Sequence, residues 1–285
     1  MTIDRVGVAG CGLMGSGIAE VCARAGVDVV VRERDAAAVE AGMARIFKSL
    51  ERAVKAGKLS DADMASTKAR LRFTTDVEEF ADRQMVIEAI AEDQELKTSL
   101  FAELDRVVTS PNAVFASNTS SIPIMKLGIA TKRPKNVIGL HFFNPVPVLN
   151  LVEVVPSLMT SPETIAAAEG FASDTLHKVT IRSQDRAGFV VNALLIPFIL
   201  SAIRMLESGF ASANDIDEGM VRGCSHPMGP LRLADLIGLD TTMAVAESLY
   251  AEFKEPLYAP PPMLARMCEA GLLGRKTGRG FYDYS

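Results

Sequence analysis

Along the first two thirds of the chain, short apolar runs alternate with longer stretches whose apolar residues recur every three or four positions. That is the signature of strands alternating with helices. Ile3–Ala9 and Val27–Val31 read as strands flanking a helical pattern that ends near Ala25-Gly26. Further strands are predicted at Leu71–Thr74, Met85–Ala89, Ala113–Ala116 and Asn136–His141, around Glu153, and at Lys178–Ile181. Helices are predicted at Gln94–Val107 and Pro162–Leu176, with a pair, Ala36–Lys58 and Ser60–Lys68, folding back on itself as a hairpin arm. Val39, Met43, Ile46, Phe47, Leu50 and Val54 form the apolar stripe of that arm, and Lys48, Arg52, Lys55 and Lys58 charge its far end. From Asp185 onward the pattern is almost all helix: Val190–Glu207, Ala213–Gly223, Leu231–Phe253 and Pro262–Ala270. The expected architecture is an α/β domain over residues 1–184 and an all-helical domain over residues 185–285. Val190–Glu207 is apolar nearly all round, which predicts deep burial, with a homodimer interface through the helical domain as the expected cover.

Composition narrows the classes. With 285 residues, 48% hydrophobic and 23% charged, the chain can bury a substantial core. A net charge of −5 disfavours nucleic acid and anionic membranes as partners. The longest oily run, Ala193–Ile203, is interrupted by Pro197 and is shorter than the ~20 residues of a membrane span. Cys11, Cys22, Cys224 and Cys268 form no C-x-x-C pair and no cluster with histidine, so no metal site is expected; they read as reduced thiols of a cytoplasmic protein. A strand pattern starting at Ile3 leaves no room for a signal peptide.

Three constellations carry chemistry. Gly10-Cys11-Gly12-Leu13-Met14-Gly15 is a G-x-G-x-x-G placed between a strand and a helix, and Glu33 stands at the end of the next strand. In that context the glycines let backbone approach a pyrophosphate at a helix N-terminus, which predicts a Rossmann-type dinucleotide-binding domain. Glu33 would bond ribose hydroxyls and repel a 2′-phosphate, favouring NAD over NADP; Arg34 beside it is either a surface charge or a cradle for that phosphate, so NADP stays open. Ser117-Asn118-Thr119-Ser120-Ser121 follows a strand at the rim where open α/β sheets bind ligands, although such a cluster also suits a plain capping turn. His141, one of three histidines, ends the next strand at that rim, and Glu153 follows twelve residues on, across a turn at Pro145 and Pro147. Two adjacent strands could set imidazole and carboxylate together as a general base; the plainer alternative is a histidine satisfying a backbone carbonyl. Asn192 is either a core amide or a donor to substrate, and the basic Gly-rich segment Gly274–Tyr282 could return to a phosphate.

These motifs together make the chain resemble the L-3-hydroxyacyl-CoA dehydrogenase family over nearly its whole length. The match rests on Gly10–Gly15 with Glu33, Glu88–Glu92 with Lys97, and Ser117–Ser121. It continues through His141–Pro145 with Leu151–Glu153, Gly188–Leu195, Pro227–Pro230 and Gly274–Tyr282. The resemblance implies oxidation of the 3-hydroxyl of an acyl-CoA, with His141 as base, Glu153 supporting it, and Ser120 and Asn192 bonding the reacting oxygen or thioester carbonyl. It implies that Gly10, Cys11, Gly12, Leu13, Met14, Gly15, Glu33, Glu92, Lys97, Ser120, Asn144 and Lys276 hold or approach the cofactor. Ser49 matches a contact to CoA. Two positions depart from the family: Ala193 stands where arginine is common, and Ala56 stands near an expected lysine, with Lys55 beside it as the candidate CoA contact. Related folds that oxidise free hydroxy or sugar acids, or that keep NAD binding without catalysis, are the alternatives.

Overall fold

The computed structural model describes residues 2–285, and the chain divides into two compact units, Met1–Arg186 and Ala187–Ser285. The first is built on one eight-stranded sheet. Its strands are β1 (Arg5–Ala9), β2 (Asp28–Arg32), β3 (Leu71–Thr74), β4 (Met85–Glu88), β5 (Val114–Ser117), β6 (Val137–Phe142), β7 (Leu151–Pro156) and β8 (Val179–Arg182). Their spatial order is β3-β2-β1-β4-β5-β6-β7-β8. All neighbours pair parallel except β6 and β7. Central strands such as β4 and β5 bury every residue, as parallel strands covered on both faces must. The order of connection reverses between β1 and β4, which opens a crevice at their carboxyl ends.

Six helices connect these strands: α1 (Leu13–Arg24), α2 (Ala36–Lys55), α3 (Asp61–Ala69), α4 (Gln94–Val107), α5 (Ile124–Gly128) and α6 (Pro162–Gly170). Ile18 and Cys22 of α1 and Ile46 and Leu50 of α2 join Val8, Val29, Ile87 and Leu140 of the sheet in one buried cluster. Several helix starts are legible in the sequence, because Asp35, Ser60, Asp93 and Ser161 each accept an amide of the first turn.

The second unit holds α7 (Val191–Glu207), α8 (Ala213–Cys224), α9 (Pro230–Ile237), α10 (Leu239–Phe253) and α11 (Pro262–Glu269) around a core that includes Ile199, Leu200, Ile203, Leu231 and Leu249. Two buried aspartates organise its polar interior. Asp217 accepts the Leu231 and Arg232 amides at the start of α9 and the Tyr282 hydroxyl. Asp235 accepts the amides of Phe281 and Tyr282 and the Tyr284 hydroxyl, fastening the Gly-rich segment to this unit.

The structure corrects the expected elements in three places. Leu231–Phe253 is two helices, not one, because Gly238 adopts φ +103° and stops α9 even though the apolar period runs on. The arm helix ends at Lys55 rather than Lys58; Gly57 takes φ +68° and the Lys58 amide closes back on the Ala53 carbonyl. The expected helix Pro162–Leu176 ends as α helix at Gly170 and continues as a wider π turn over Phe171–Thr175. Within the single chain the apolar helix is covered on one side, with Leu194 73% and Met205 41% exposed, and the expected subunit interface would have to cover the rest.

The break at Gly238 yields a stability test. A Cβ there would take a left-handed φ and fall 3.0 Å from Asp240 Oδ1. Gly238→Ala is therefore expected to destabilise the protein by about 1–3 kcal/mol, the usual cost of a strained backbone position. Urea unfolding measures it; an unchanged midpoint would show that the break does not depend on glycine.

Candidate active site

The first part of the site is the crevice beyond β1. Gly10 takes φ +92°, and a Cβ on it would fall 2.6 Å from the Ala89 carbonyl oxygen; a Cβ on Gly15 would fall 1.9 Å from the Gly10 carbonyl oxygen. Both positions need glycine for packing alone. Gly12 differs: a Cβ there would meet nothing within 4 Å, so its freedom is kept for something that approaches from outside. Gly12 is also the N-cap of α1, which among the described residues has no side-chain cap and no acid in its first turn. The exposed amides and the positive end of the helix macrodipole suit a pyrophosphate, so the residues present fit a dinucleotide.

Beside the loop lies a cleft of about 770 Å³ lined by residues that include Gly10, Gly12, Glu33, Ala89 and Leu96. Glu33 Oε1 accepts the Cys11 amide at 2.6 Å and Oε2 accepts the Arg34 amide at 3.1 Å. From the other side Arg45, on α2, donates to the Cys11 carbonyl at 2.7 Å. Arg34 itself points to solvent and pairs with Asp35. The Cys11 thiol is pushed up to about 12 by burial, then by the Glu33 charge, with Arg45 opposing.

The second part lies at the carboxyl ends of β4, β5 and β6. In the antiparallel ladder His141 of β6 stands directly opposite Glu153 of β7, with Nδ1 and Oε2 2.6 Å apart. Both side chains are buried. A carboxylate only accepts, so Nδ1 carries the proton of the neutral ring and Nε2 is left with a lone pair. Ser120 Oγ lies 2.9 Å from that Nε2. The Phe143 ring meets the imidazole edge-on at 4.6 Å.

Behind Ser120 sits a second charge system. Glu92 Oε1 accepts the Ser120 and Ser121 amides and the Thr119 and Ser121 hydroxyls, at 2.5–3.1 Å. Burial works to raise the Glu92 carboxyl, but the Lys97 ammonium, those hydroxyls and the Ser120 amide outweigh it and hold it below the usual carboxylate range. Lys97 is 1% exposed; its ammonium lies 2.5 Å from Glu88, 3.2 Å from Glu92 and 3.5 Å from the Ile90 carbonyl oxygen. Removing one partner from a buried ion pair costs about 3–5 kcal/mol, so this ammonium is committed to its carboxylates.

Asn144 is exposed in the turn after β6. Ser49 is half-buried on α2 and Lys55 is exposed at its last turn. Ser49 has a neighbour the sequence did not suggest, the buried Glu20 of α1, whose carboxyl is raised by burial against the pull of Ser49, Arg24 and Arg52. In the second unit Asn192 is half-buried in the first turn of α7, and Lys276 is paired with Asp240 at 2.5 Å.

Sequence reasoning passed over Arg45, Glu88 and Asn118. Asn118 accepts the Phe142 amide at 2.9 Å and so ties the serine-rich loop to the strand that carries His141. The signal for Glu88 was available: an acid closing an otherwise apolar strand, nine residues before a lysine. Among the described residues no group of histidine, cysteine and acidic side chains could hold a metal, and no helix is long and apolar enough to cross a membrane.

Comparison with known proteins gives the family. The family model described as 3-hydroxyacyl-CoA dehydrogenase, NAD binding domain, matches residues 5–186, and the corresponding C-terminal domain model matches residues 188–284. A 3-hydroxybutyryl-CoA dehydrogenase of Mycobacterium tuberculosis is 61% identical over 99% of this chain and 99% of its own. The crystal structure of M. tuberculosis FadB2 superposes with a TM-score of 0.99 at 60% identity, each chain covering all of the other. That of (S)-3-hydroxybutyryl-CoA dehydrogenase PaaH1 from Ralstonia eutropha gives 0.94 at 48% identity, again with full coverage.

The thiols test the packing of the dinucleotide loop. Burial pushes both Cys11 and Cys22 up to about 12, whereas Cys224 is exposed. A thiol reagent at pH 8 is expected to modify Cys224 rapidly and half-buried Cys268 more slowly. Cys11 and Cys22 should react only after denaturant is added; rapid labelling of Cys11, located by peptide mass, would contradict the packing around Gly12.

Proposed function

The chain belongs to the 3-hydroxyacyl-CoA dehydrogenase family, NAD-dependent oxidoreductases acting on CH–OH, and we propose that it is a 3-hydroxybutyryl-CoA dehydrogenase interconverting a short-chain (3S)-3-hydroxyacyl-CoA and its 3-ketoacyl-CoA. The observation that carries the reading is His141, held through Nδ1 by Glu153 and facing Ser120 with the lone pair of Nε2. The whole-length likeness to 3-hydroxybutyryl-CoA dehydrogenases supports the short acyl chain.

In this reading NAD, when bound, accepts the hydride that leaves C3. The loop Gly10–Gly15 would hold the cofactor, with Glu33 bonding its ribose and Glu92 and Asn144 as further contacts, and the family resemblance adds Lys276 to that set. Lys97 serves by holding Glu92. His141 Nε2 takes the proton of the 3-hydroxyl, so the oxygen becomes a carbonyl without passing through a free alkoxide; in reduction the same proton returns. Glu153 keeps Nδ1 protonated and stabilises the imidazolium that forms. Ser120 would donate to the reacting oxygen, and the family resemblance assigns Asn192 a bond to that oxygen or to the thioester carbonyl. Ser49 and Lys55 on α2 meet the CoA moiety. Four free thiols suit the cytoplasm.

His141→Gln should fold and bind NADH but lose about 10²–10⁴-fold in kcat, the contribution of a positioned base. Assays with acetoacetyl-CoA, longer 3-ketoacyl-CoAs and free acetoacetate test the substrate class alongside it. Wild-type turnover in the folded variant would remove His141 from the mechanism, and equal rates on free acetoacetate would favour a hydroxy-acid dehydrogenase.

The homodimer belongs to the same proposal. Val190, Leu194 and Met205 leave an apolar stripe exposed along α7 and its entry, as expected of a surface that a second copy covers. Light scattering at micromolar concentration should report twice the chain mass; a stable monomer would refute the dimer.

A further inference from the structure

Glu88 is the last residue of β4 and is fully buried. Each of its carboxylate oxygens serves a segment that leads to the reacting centre. Oε1 accepts the Lys97 ammonium of α4 at 2.5 Å and the Ile90 amide, in the connection that carries Glu92, at 2.7 Å. Oε2 accepts the Ser117 hydroxyl, at the end of β5, at 2.5 Å. Two routes run from there and meet at one point. Along the first, Ser117 Oγ accepts the Thr119 amide at 3.2 Å. Along the second, Lys97 holds Glu92, which accepts the Thr119 hydroxyl and the Ser120 amide. The next atom on both routes is Ser120 Oγ, against His141 Nε2.

We propose that Glu88 is a positioning residue for the reaction: through Lys97 and Ser117 it sets the place of Glu92 and of the loop 117–121, and so the place of Ser120 against His141. The inference rests on the reading of His141 and Ser120 given above. Stability alone is a weak reason for such a group, since a buried ion pair is often no better than well-packed apolar residues of the same volume. What apolar residues cannot do is fix a hydroxyl in direction. Glu88 holds the ends of two parallel strands and one helix through directed bonds, and it acts alongside Asn118 of the same loop, which accepts the Phe142 amide.

Four variants test it: Glu88→Gln, Ser117→Ala, Lys97→Met, and the Glu88→Gln, Lys97→Met double change. Each is assayed with acetoacetyl-CoA and NADH, with thermal unfolding followed in parallel. Glutamine keeps the shape of Glu88 but releases the ammonium to pull on Glu92 alone. The folded Glu88→Gln protein should lose about 10- to 100-fold in kcat, the scale of misplacing a reacting group by up to an ångström. KM for acetoacetyl-CoA should hold, because the group displaced serves the transition state more than binding. Because one of the two routes from Glu88 runs through Lys97, the losses in Glu88→Gln and Lys97→Met should not add, and the double variant should be faster than the product of the two single losses implies. Ser117→Ala leaves every charge in place and should lower kcat in the same direction by less. A merely structural Glu88 would instead lower the melting temperature and leave kcat of the folded protein and the cycle's additivity untouched; that result overturns the proposal. If Glu88→Gln does not fold, Ser117→Ala decides, and wild-type kcat there overturns it. Wild-type kcat in Glu88→Gln and Ser117→Ala with an inactive His141→Gln sinks the role of Glu88 alone. An active His141→Gln sinks the reading on which it rests.

Discussion

The site depends on one cross-strand pairing, His141 opposite Glu153 in the only antiparallel ladder of the sheet. Parallel strands deliver their carboxyl ends to one rim, which is how the last residues of β4, β5 and β6 come together. They cannot deliver an acid directly beside a histidine on the neighbouring strand unless both occupy the same end. By turning back through residues 143–150, the chain brings the opening half of β7 to that rim, and Glu153 with it. The period of a strand is two, so a slip of one residue in this ladder would put the carboxylate on the opposite face of the sheet from the imidazole. Phe142 and Val152, the next pair, are buried, and so are Leu140 and Val154 on the other side, which fixes the register by packing.

Around that pairing the rim carries two charge systems of different composition, the second reaching the surface at Glu92. One is an imidazole with one carboxylate, able to gain and lose a proton. The other is an ammonium between two carboxylates, tied into a net of amides and hydroxyls. Ser120 belongs to both, its amide in the second system and its hydroxyl in the first. The division keeps the group proposed to take the proton apart from the charged scaffold that positions Ser120 against it.

Much of this was readable from the sequence where the signal was local. The G-x-G-x-x-G between strand and helix, the serine-rich turn after β5, and a histidine and an acid on consecutive strands all announce themselves by residue type and spacing. The hairpin arm and the change to helix beyond residue 185 follow from apolar period. What escaped depends on tertiary contact. Gly238 sits inside an unbroken apolar period, so only its left-handed φ reveals that α9 and α10 are separate. The exposed stripe on α7 could not be told from a buried one, because hydrophobicity does not say which neighbours exist. Glu88 lay in view within a quoted motif, yet its importance comes from Ser117, twenty-nine residues away in sequence and adjacent only in the sheet.

The peptide of Cys11 is held at both ends, its amide by Glu33 and its carbonyl by Arg45. Ordering a loop residue costs roughly 1–2 kcal/mol of conformational entropy. Here that cost is met when the chain folds and does not recur when a ligand arrives. A dinucleotide therefore meets a loop already in its final shape. That share of the ordering cost is absent from the free energy of binding, which still carries the losses of overall freedom and of solvation.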